Sequence, residues 1–260
     1  MRRREFITIL GSALVAWPLV ARAQQPAMPV IGWLSSGSRD SDDALRLPPF
    51  RLGLNETGYT EGRNVAIEYR WAEDQLERLL ALAADLARRQ VSLIFAAGSP
   101  ASALAAKSAT TSIPIVFLSA ADPVQLGLVA SLNRPGGNVT GFTTVSAELE
   151  AKRLGLLREL VPSATSIAVL VNPTRPGVDA QLAQAQQAAR VLGLALHVLK
   201  ASSESDLDAA FVTLVQLRAG ALVITADVLF TDHRDQIVAL ARRYRFPRCS
   251  NFANSPPAAA

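Results

Sequence analysis

The sequence predicts an α/β protein of two lobes, each built on a parallel sheet, and three observations carry that prediction. Short apolar runs alternate with amphipathic segments of helical length from Val30 to Tyr244, the pattern that βαβ crossovers require. The alternation comes in two similar sets that meet near Thr143 to Glu150. In both sets the apolar runs end on small or polar residues, at the sheet edge where open α/β folds bind ligands. The chain divides accordingly into an export segment over 1–23, a first lobe over 28–145, a second lobe over 146–247 and a tail over 248–260.

Taken in order, VIGWLSS (Val30 to Ser36) is a short apolar strand running into small polar residues. The regular part of the next helix starts at Pro48-Pro49, because proline is tolerated in a first turn, and it ends near Gly58. NVAIEYRWA (Asn64 to Ala72) is the second strand, and Asp74 to Gln90 is a helix with leucines and alanines on one face. VSLIFAAG follows as a strand and Ser99 to about Ala109 as a helix. The stretch from Ser112 to Thr143 reads as a buried strand (Ile113 to Leu118), a loop to Asp122-Pro123, a helix to about Asn133, a Pro-Gly-Gly-Asn turn and a strand from Val139. Asp122 suits that helix start: a carboxylate accepts orphan backbone N–H groups, and proline at the first helical position sacrifices no hydrogen bond. In the second set Glu148 to Leu160 is a helix, SIAVLVNP a strand, Val178 to Leu192 a helix and LALHVLKA a strand. Glu204 to Arg218 is then a helix, ALVITAD a strand and Asp232 to Tyr244 a helix.

Charge and composition exclude several classes of function. Half of the residues are hydrophobic, ordinary for a folded α/β chain. The formal net charge of +4 is concentrated at the start, where Arg2, Arg3, Arg4 and Arg22 face only Glu5. Without residues 1–23 the chain holds 22 basic and 21 acidic residues, and no basic patch with interleaved aromatics remains to hold nucleic acid. Arg2-Arg3-Arg4, the apolar run Phe6 to Val20 and Ala21-Arg22-Ala23 form the three regions of an export signal, with Arg3-Arg4 resembling a twin-arginine pair. The apolar run is shorter than the roughly 20 residues a membrane span needs, so no stable membrane insertion is expected once the signal is cleaved. The single cysteine, Cys249, cannot form an internal disulfide, which suits a periplasmic protein that needs none.

The candidate site is the set of polar strand ends. In the first lobe these are Ser35-Ser36, Gly98-Ser99 before Pro100, and Asp122; in the second they are Asn172 and Asp227. Two lobes turning these edges toward each other would enclose a polar-floored cleft for a small molecule. No phosphate loop, dinucleotide fingerprint, nucleophile elbow or zinc-ligand cluster occurs, so neither enzymatic activity nor a cofactor is expected. His197 and His233 are isolated and read as structural or solvent-facing, and Glu68, Glu73, Asp74 and Asp85 as solvated charges. Trp33 and Trp71 read as core residues of their strands rather than as ligand-stacking rings.

Several segments together resemble a known family. VIGWLSSGS, ETGYTEGRNVAIEYRWAE, AAGSPASALAAK, IPIVFLSAADPVQLGLVASLNRPGGNVTGFT, KRLGLLRELVPSATSIAVLVNP and the twin-arginine start are similar to periplasmic substrate-binding proteins of ABC transporters, in the group related to tryptophan- and tyrosine-binding proteins. The resemblance implies two Rossmann-like lobes in a type I-like periplasmic-binding-protein architecture that close over a small ligand and deliver it to a permease without chemistry. It implies that Ser35 and Ser36 line the cleft, that Gly98 and Ser99 offer donors to a carboxylate, and that Asp122 faces an ammonium or hydroxyl. Asn172 and Asp227 would close from the other lobe, and a zwitterionic amino acid would fit. Beyond Pro247 the chain departs from the resemblance, which implies a first lobe left incomplete. A frameshift near Phe246 to Arg248 would produce such a tail, and the gene sequence tests that expectation.

Overall fold

A computed structural model of the 260-residue chain describes residues 28–143, 147–244 and 248–249; the expected export signal over 1–23 and residues 250–260 lie outside the described residues. The first lobe contains strands β1 (Val30–Ser35), β2 (Ala66–Trp71), β3 (Leu93–Ala97), β4 (Ile115–Ser119) and β5 (Val139–Thr143). Its helices are α1 (Leu47–Glu56), α2 (Leu79–Arg88) and α3 (Pro100–Ala109). The second contains α4 (Ala147–Leu160), β6 (Ser166–Val171), α5 (Val178–Val191), β7 (Ala195–Lys200) and α6 (Glu204–Gln216). It ends with β8 (Ala221–Ile224), α7 (Val228–Asp232), α8 (Arg234–Arg243) and β9 (Arg248–Cys249). All pairings are parallel, in the orders β2-β1-β3-β4-β5 and β7-β6-β8-β9. This is the doubly wound α/β architecture expected. Among the described residues no helix is long and apolar enough to cross a membrane.

Strand alternation sorts the side chains into separate cores. In the first lobe Leu34, Ile94, Ala96, Ile115 and Phe117 point to α2 and α3. Trp33, Phe95 and Ala97 point the other way, toward Leu47 and Phe50 of α1. Trp33 is 1% exposed and packs at ring-centroid distances of 4.9 Å on Phe50 and 5.1 Å on Phe95, so it is a core residue. Over β4 and β5 no helix among the described residues covers that second face, and the register neighbours Leu118 and Phe142 are 49% and 74% exposed. In the second lobe Phe211, Leu214 and Leu240 cover one face of the sheet, and Leu154, Leu157 and Ala189 cover the other.

Three expected helices depart from the sequence prediction. The helix expected from Pro123 to Asn133 is a series of turns: Gly127 adopts φ +67°, and Leu128 and Val129 both donate to the Pro123 carbonyl, at 2.8 and 3.3 Å. This folds the two side chains into the first core, where Lys107 Nζ holds the Leu128 carbonyl at 3.2 Å. The helix expected from Asp74 begins only after a 3₁₀ turn at Leu76–Arg78, because Glu73 and Asp74 take φ of +53° and +59°. The helix expected from Asp232 breaks at His233, which ends α7 and turns Asp232 toward the first lobe. In the first turn of α1 Pro48 and Pro49 offer no N–H, and ahead of it Asp42–Arg46 widens into a π turn after a short helical turn at Arg39–Ser41. Arg248 and Cys249, assigned above to the tail, pair with Leu222 and Val223 of β8.

Candidate functional site

In each sheet the direction of winding reverses at one strand. β1 lies between β2 and β3, and β6 lies between β7 and β8, so the two switch points lie at the carboxyl ends of β1/β3 and β6/β8. Ser36 follows β1, Ser99 follows β3, Asn172 follows β6 and Asp227 follows β8. These four residues, two from each lobe, line one closed crevice together with Asp74 and Arg175. It has a volume of about 10 Å³, room for about one water-sized group.

Local structure fixes each side chain. Ser99 is the N-cap of α3, its Oγ accepting from the Ala101 N–H at 3.2 Å, and Pro100 occupies the first turn at no loss of a bond. Asp227 caps α7 by accepting from the Leu229 N–H at 3.0 Å, and its Oδ1 also accepts from Asn172 Nδ2 at 3.1 Å. Asn172 Oδ1 in turn accepts from the Thr174 N–H at 3.1 Å and from its hydroxyl at 2.7 Å. Ser36 is the exception: it is 2% exposed, and its Oγ has no hydrogen-bond partner in the structure. Such an orphan hydroxyl is unfavourable unless something else occupies the site.

Behind these residues Gly98 permits the close approach of the β1 and β3 ends. It adopts φ +86°, and a Cβ there would lie 2.5 Å from Ser36 Oγ. Gly98→Ala is therefore expected to destabilise the fold by about 1–3 kcal/mol through strain and overpacking, and so to lower the melting temperature. An unchanged thermal melt would show that the β3 turn relaxes freely.

The crevice is electrostatically unbalanced. Burial raises the Asp227 carboxyl above its ordinary range, against the Asn172 hydrogen bond and the Arg175 charge. Burial also pushes Asp74 up to about 7, with the charges of Asp232 and Asp227 adding and Arg46 opposing. Arg175, 5% exposed, donates through Nη1 to Gln181 Oε1 at 2.9 Å and to the Ala226 carbonyl at 2.7 Å. It also lines a larger cavity of about 450 Å³ walled by Ala120 to Leu126, Leu132 and Thr143 of the first lobe and Gly177, Ala180, Gln181 and Gln184 of the second. Asp122 lies there, exposed, its Oδ1 accepting from the Val124 N–H at 2.8 Å and the Gln125 N–H at 3.3 Å. This roomier space thus lies beside the switch points, not on them, and Arg175 lines both it and the crevice.

On the far side of the crevice a polar cluster joins the lobes. The Asp232 carboxylate receives Arg46 Nη2 at 3.1 Å, the Ser38 N–H at 3.5 Å and the Ser41 hydroxyl. Arg46 Nη1 also holds Asp42 at 2.7 Å, and this fully buried carboxylate accepts both indole N–H groups, Trp33 at 2.6 Å and Trp71 at 3.1 Å. Burial alone would lower the Arg46 pKa, and the two carboxylates more than offset it. Among the described residues no group of three or more His, Cys, Asp or Glu is arranged to hold a metal ion.

Residues 38–255 match the family described as ABC transporter substrate binding protein. The chain belongs to that family. It is 29% identical over 198 residues to the tyrosine-binding protein of Clostridioides difficile, covering 76% of this chain and 56% of that protein. The chain thus spans little more than half the length of this curated relative. Among solved structures, a conserved domain protein from Vibrio cholerae superposes with a TM-score of 0.77 at 24% identity, over 86% of this chain and 74% of that one. A Streptococcus ABC domain in complex with L-Trp gives 0.74 at 22% identity, over the same shares of the two chains.

For this member of the family, the residue pattern and the fold agree on position more than on grouping. Ser36, Ser99, Asn172 and Asp227 are brought together. Ser35 is not: it is fully buried, and its Oγ accepts from the Gly37 N–H at 3.2 Å. Gly98 sits behind Ser36, and Asp122 stands at the separate, larger cavity. Asp74, read from sequence as a solvated helix charge, is instead a partly buried crevice residue, because its left-handed backbone donates its N–H to the Ser36 carbonyl at 3.0 Å and tucks the side chain inward. Applying the strand-end rule to β2 would have found it. Arg175 and Asp232 were also missed; the first lies four residues past the end of β6, and the second carries no local signal.

Proposed function

We propose that this protein captures a small ligand, an amino acid, unaltered, between its lobes and, after export to the periplasm, passes it to an ABC permease. The observation that carries this reading is the convergence of Ser36 and Ser99 with Asn172 and Asp227 at the two switch points. The crevice supplies acids and a hydroxyl for an ammonium group, and Arg175 on the same wall supplies a cation for a carboxylate. Ala121, Pro123, Val124, Leu126 and Leu132 give the adjoining cavity an apolar wall, and its volume of about 450 Å³ suits an aromatic or branched side chain. The tyrosine-binding relative and the L-Trp complex favour the same ligand class.

Calorimetry of the purified chain with the twenty amino acids tests the reading. At least one aromatic amino acid is expected to bind, and silence across the panel would overturn it. Ser36→Ala separates binding from folding. Because the hydroxyl has no partner within the protein, its loss should leave the melting temperature unchanged or raise it. Affinity should fall roughly fivefold to tenfold, about one hydrogen bond.

A further inference from the structure

The closed crevice concentrates negative charge around a space too small for a whole ligand. Asp74 and Asp227 line it with Arg175 as the cation, and the orphan Ser36 hydroxyl shares the same wall. The charges acting on Asp74 are Asp232 and Asp227 from the second lobe and Arg46 and the adjacent Glu73 from the first. Glu77 and Glu204 line the open groove beside it and add acids, and His233 is the one basic side chain on that groove's wall. An ammonium group is about the size of a water molecule, and the space is that size. Arg175 borders both this space and the large cavity, so the two spaces adjoin at its side chain.

We propose that the crevice is a subsite for a positively charged ligand group, with Asp74 as the counter-ion that makes closure demand that charge, the body of the ligand lying in the larger cavity. This rests on the amino-acid reading and sharpens it: the ammonium, more than the side chain, is what the closing lobes require. With the lobes apart, Asp74 would be solvated and ionised at neutral pH. Closing on a ligand without a cation buries that carboxylate beside Asp227 and Asp232, and burial pushes its pKa up to about 7. The closed form then binds more protons than the open one between the ordinary carboxylate range and about pH 7. Affinity for such a ligand therefore falls as pH rises through that window, by up to about tenfold per pH unit, and levels off above it. A ligand ammonium replaces the proton and removes the dependence.

The test uses L-tryptophan, indole-3-propionate (no ammonium) and tryptamine (no carboxylate), titrated calorimetrically in buffers of different ionisation heat between about pH 5 and pH 8. Tryptophan should bind with a flat profile and no proton uptake. Indole-3-propionate should bind at least about tenfold more weakly at pH 7.5, with proton uptake and the falling profile. Asp74→Asn keeps the left-handed backbone, which asparagine tolerates, so a folded variant is expected. It should lose tryptophan affinity at least about tenfold and flatten the indole-3-propionate profile. Equal affinity for tryptophan and indole-3-propionate, or wild-type tryptophan binding by Asp74→Asn, would overturn the subsite while leaving the amino-acid reading intact. Binding of tryptamine without tryptophan would do the reverse. Binding of none of the three would overturn both.

Discussion

Asp232→Ala is expected to shift the lobes toward the open state and to weaken any ligand held between them by roughly thirtyfold, about 2 kcal/mol. The carboxylate sits at the end of α7 in the second lobe, yet the hydrogen bonds its side chain makes to Ser38, Ser41 and Arg46 all run to the first. Removing it should therefore leave each lobe folded and strip the closed form of a nearly buried ion pair, with side-chain exposures of 19% for Arg46 and 5% for Asp232. Arg46 keeps Asp42, so the variant does not strand an uncompensated charge inside the first lobe. Small-angle scattering should show a larger radius of gyration, and calorimetry the loss of affinity. A wild-type scattering curve with wild-type affinity would mean that the pair does not hold the lobes.

Gly37→Val should have the larger effect, at least a hundredfold loss of affinity, because it adds bulk where Asp232→Ala removes attraction. A Cβ on Gly37 would lie 2.9 Å from Asp232 Oδ2 and 2.9 Å from Val228 Cγ1, both in the second lobe. Such overlap costs about 1–3 kcal/mol for a methyl-sized intrusion, and valine brings two further carbons. Gly37 is not in the left-handed region, so valine adds no backbone strain to the first lobe. Scattering should report an open particle even with ligand present. The two substitutions act on one contact, so the double variant should fall short of the summed losses. A closed, ligand-competent Gly37→Val protein would show that the lobes slide past the contact at little cost.

Much of the fold and part of the site can be read from residues in order. Buried parallel strands are near-continuous apolar runs, and β1, β3, β4, β6 and β8 all announce themselves that way. Caps are equally local: Ser99-Pro100 opens α3, and Ser203 with Asp206 forms the capping box of α6. Where local signals conflict with packing, the reading fails. The stretch after Asp122-Pro123 has a helical start and helical spacing, yet Leu128 and Val129 gain more by folding onto the first core through Gly127 than by remaining on a helix face. Asp74 looks like one more charge opening an amphipathic helix; its left-handed backbone comes from hydrogen bonds to the end of β1, far back in the chain.

The order of residues determined by itself the parallel two-lobe architecture and the polar strand ends, since periodicity, caps and turn residues act over a few positions. Only the tertiary structure decided which polar ends share a crevice. It also drew in Asp74 and Arg175, set Asp122 apart at the larger cavity and joined Asp232 to Arg46 across the lobes. Those outcomes depend on contacts between segments as much as 194 residues apart, such as Ser38 with Asp232. Their energies come from burial and charge in the assembled interface, which no short window of sequence contains.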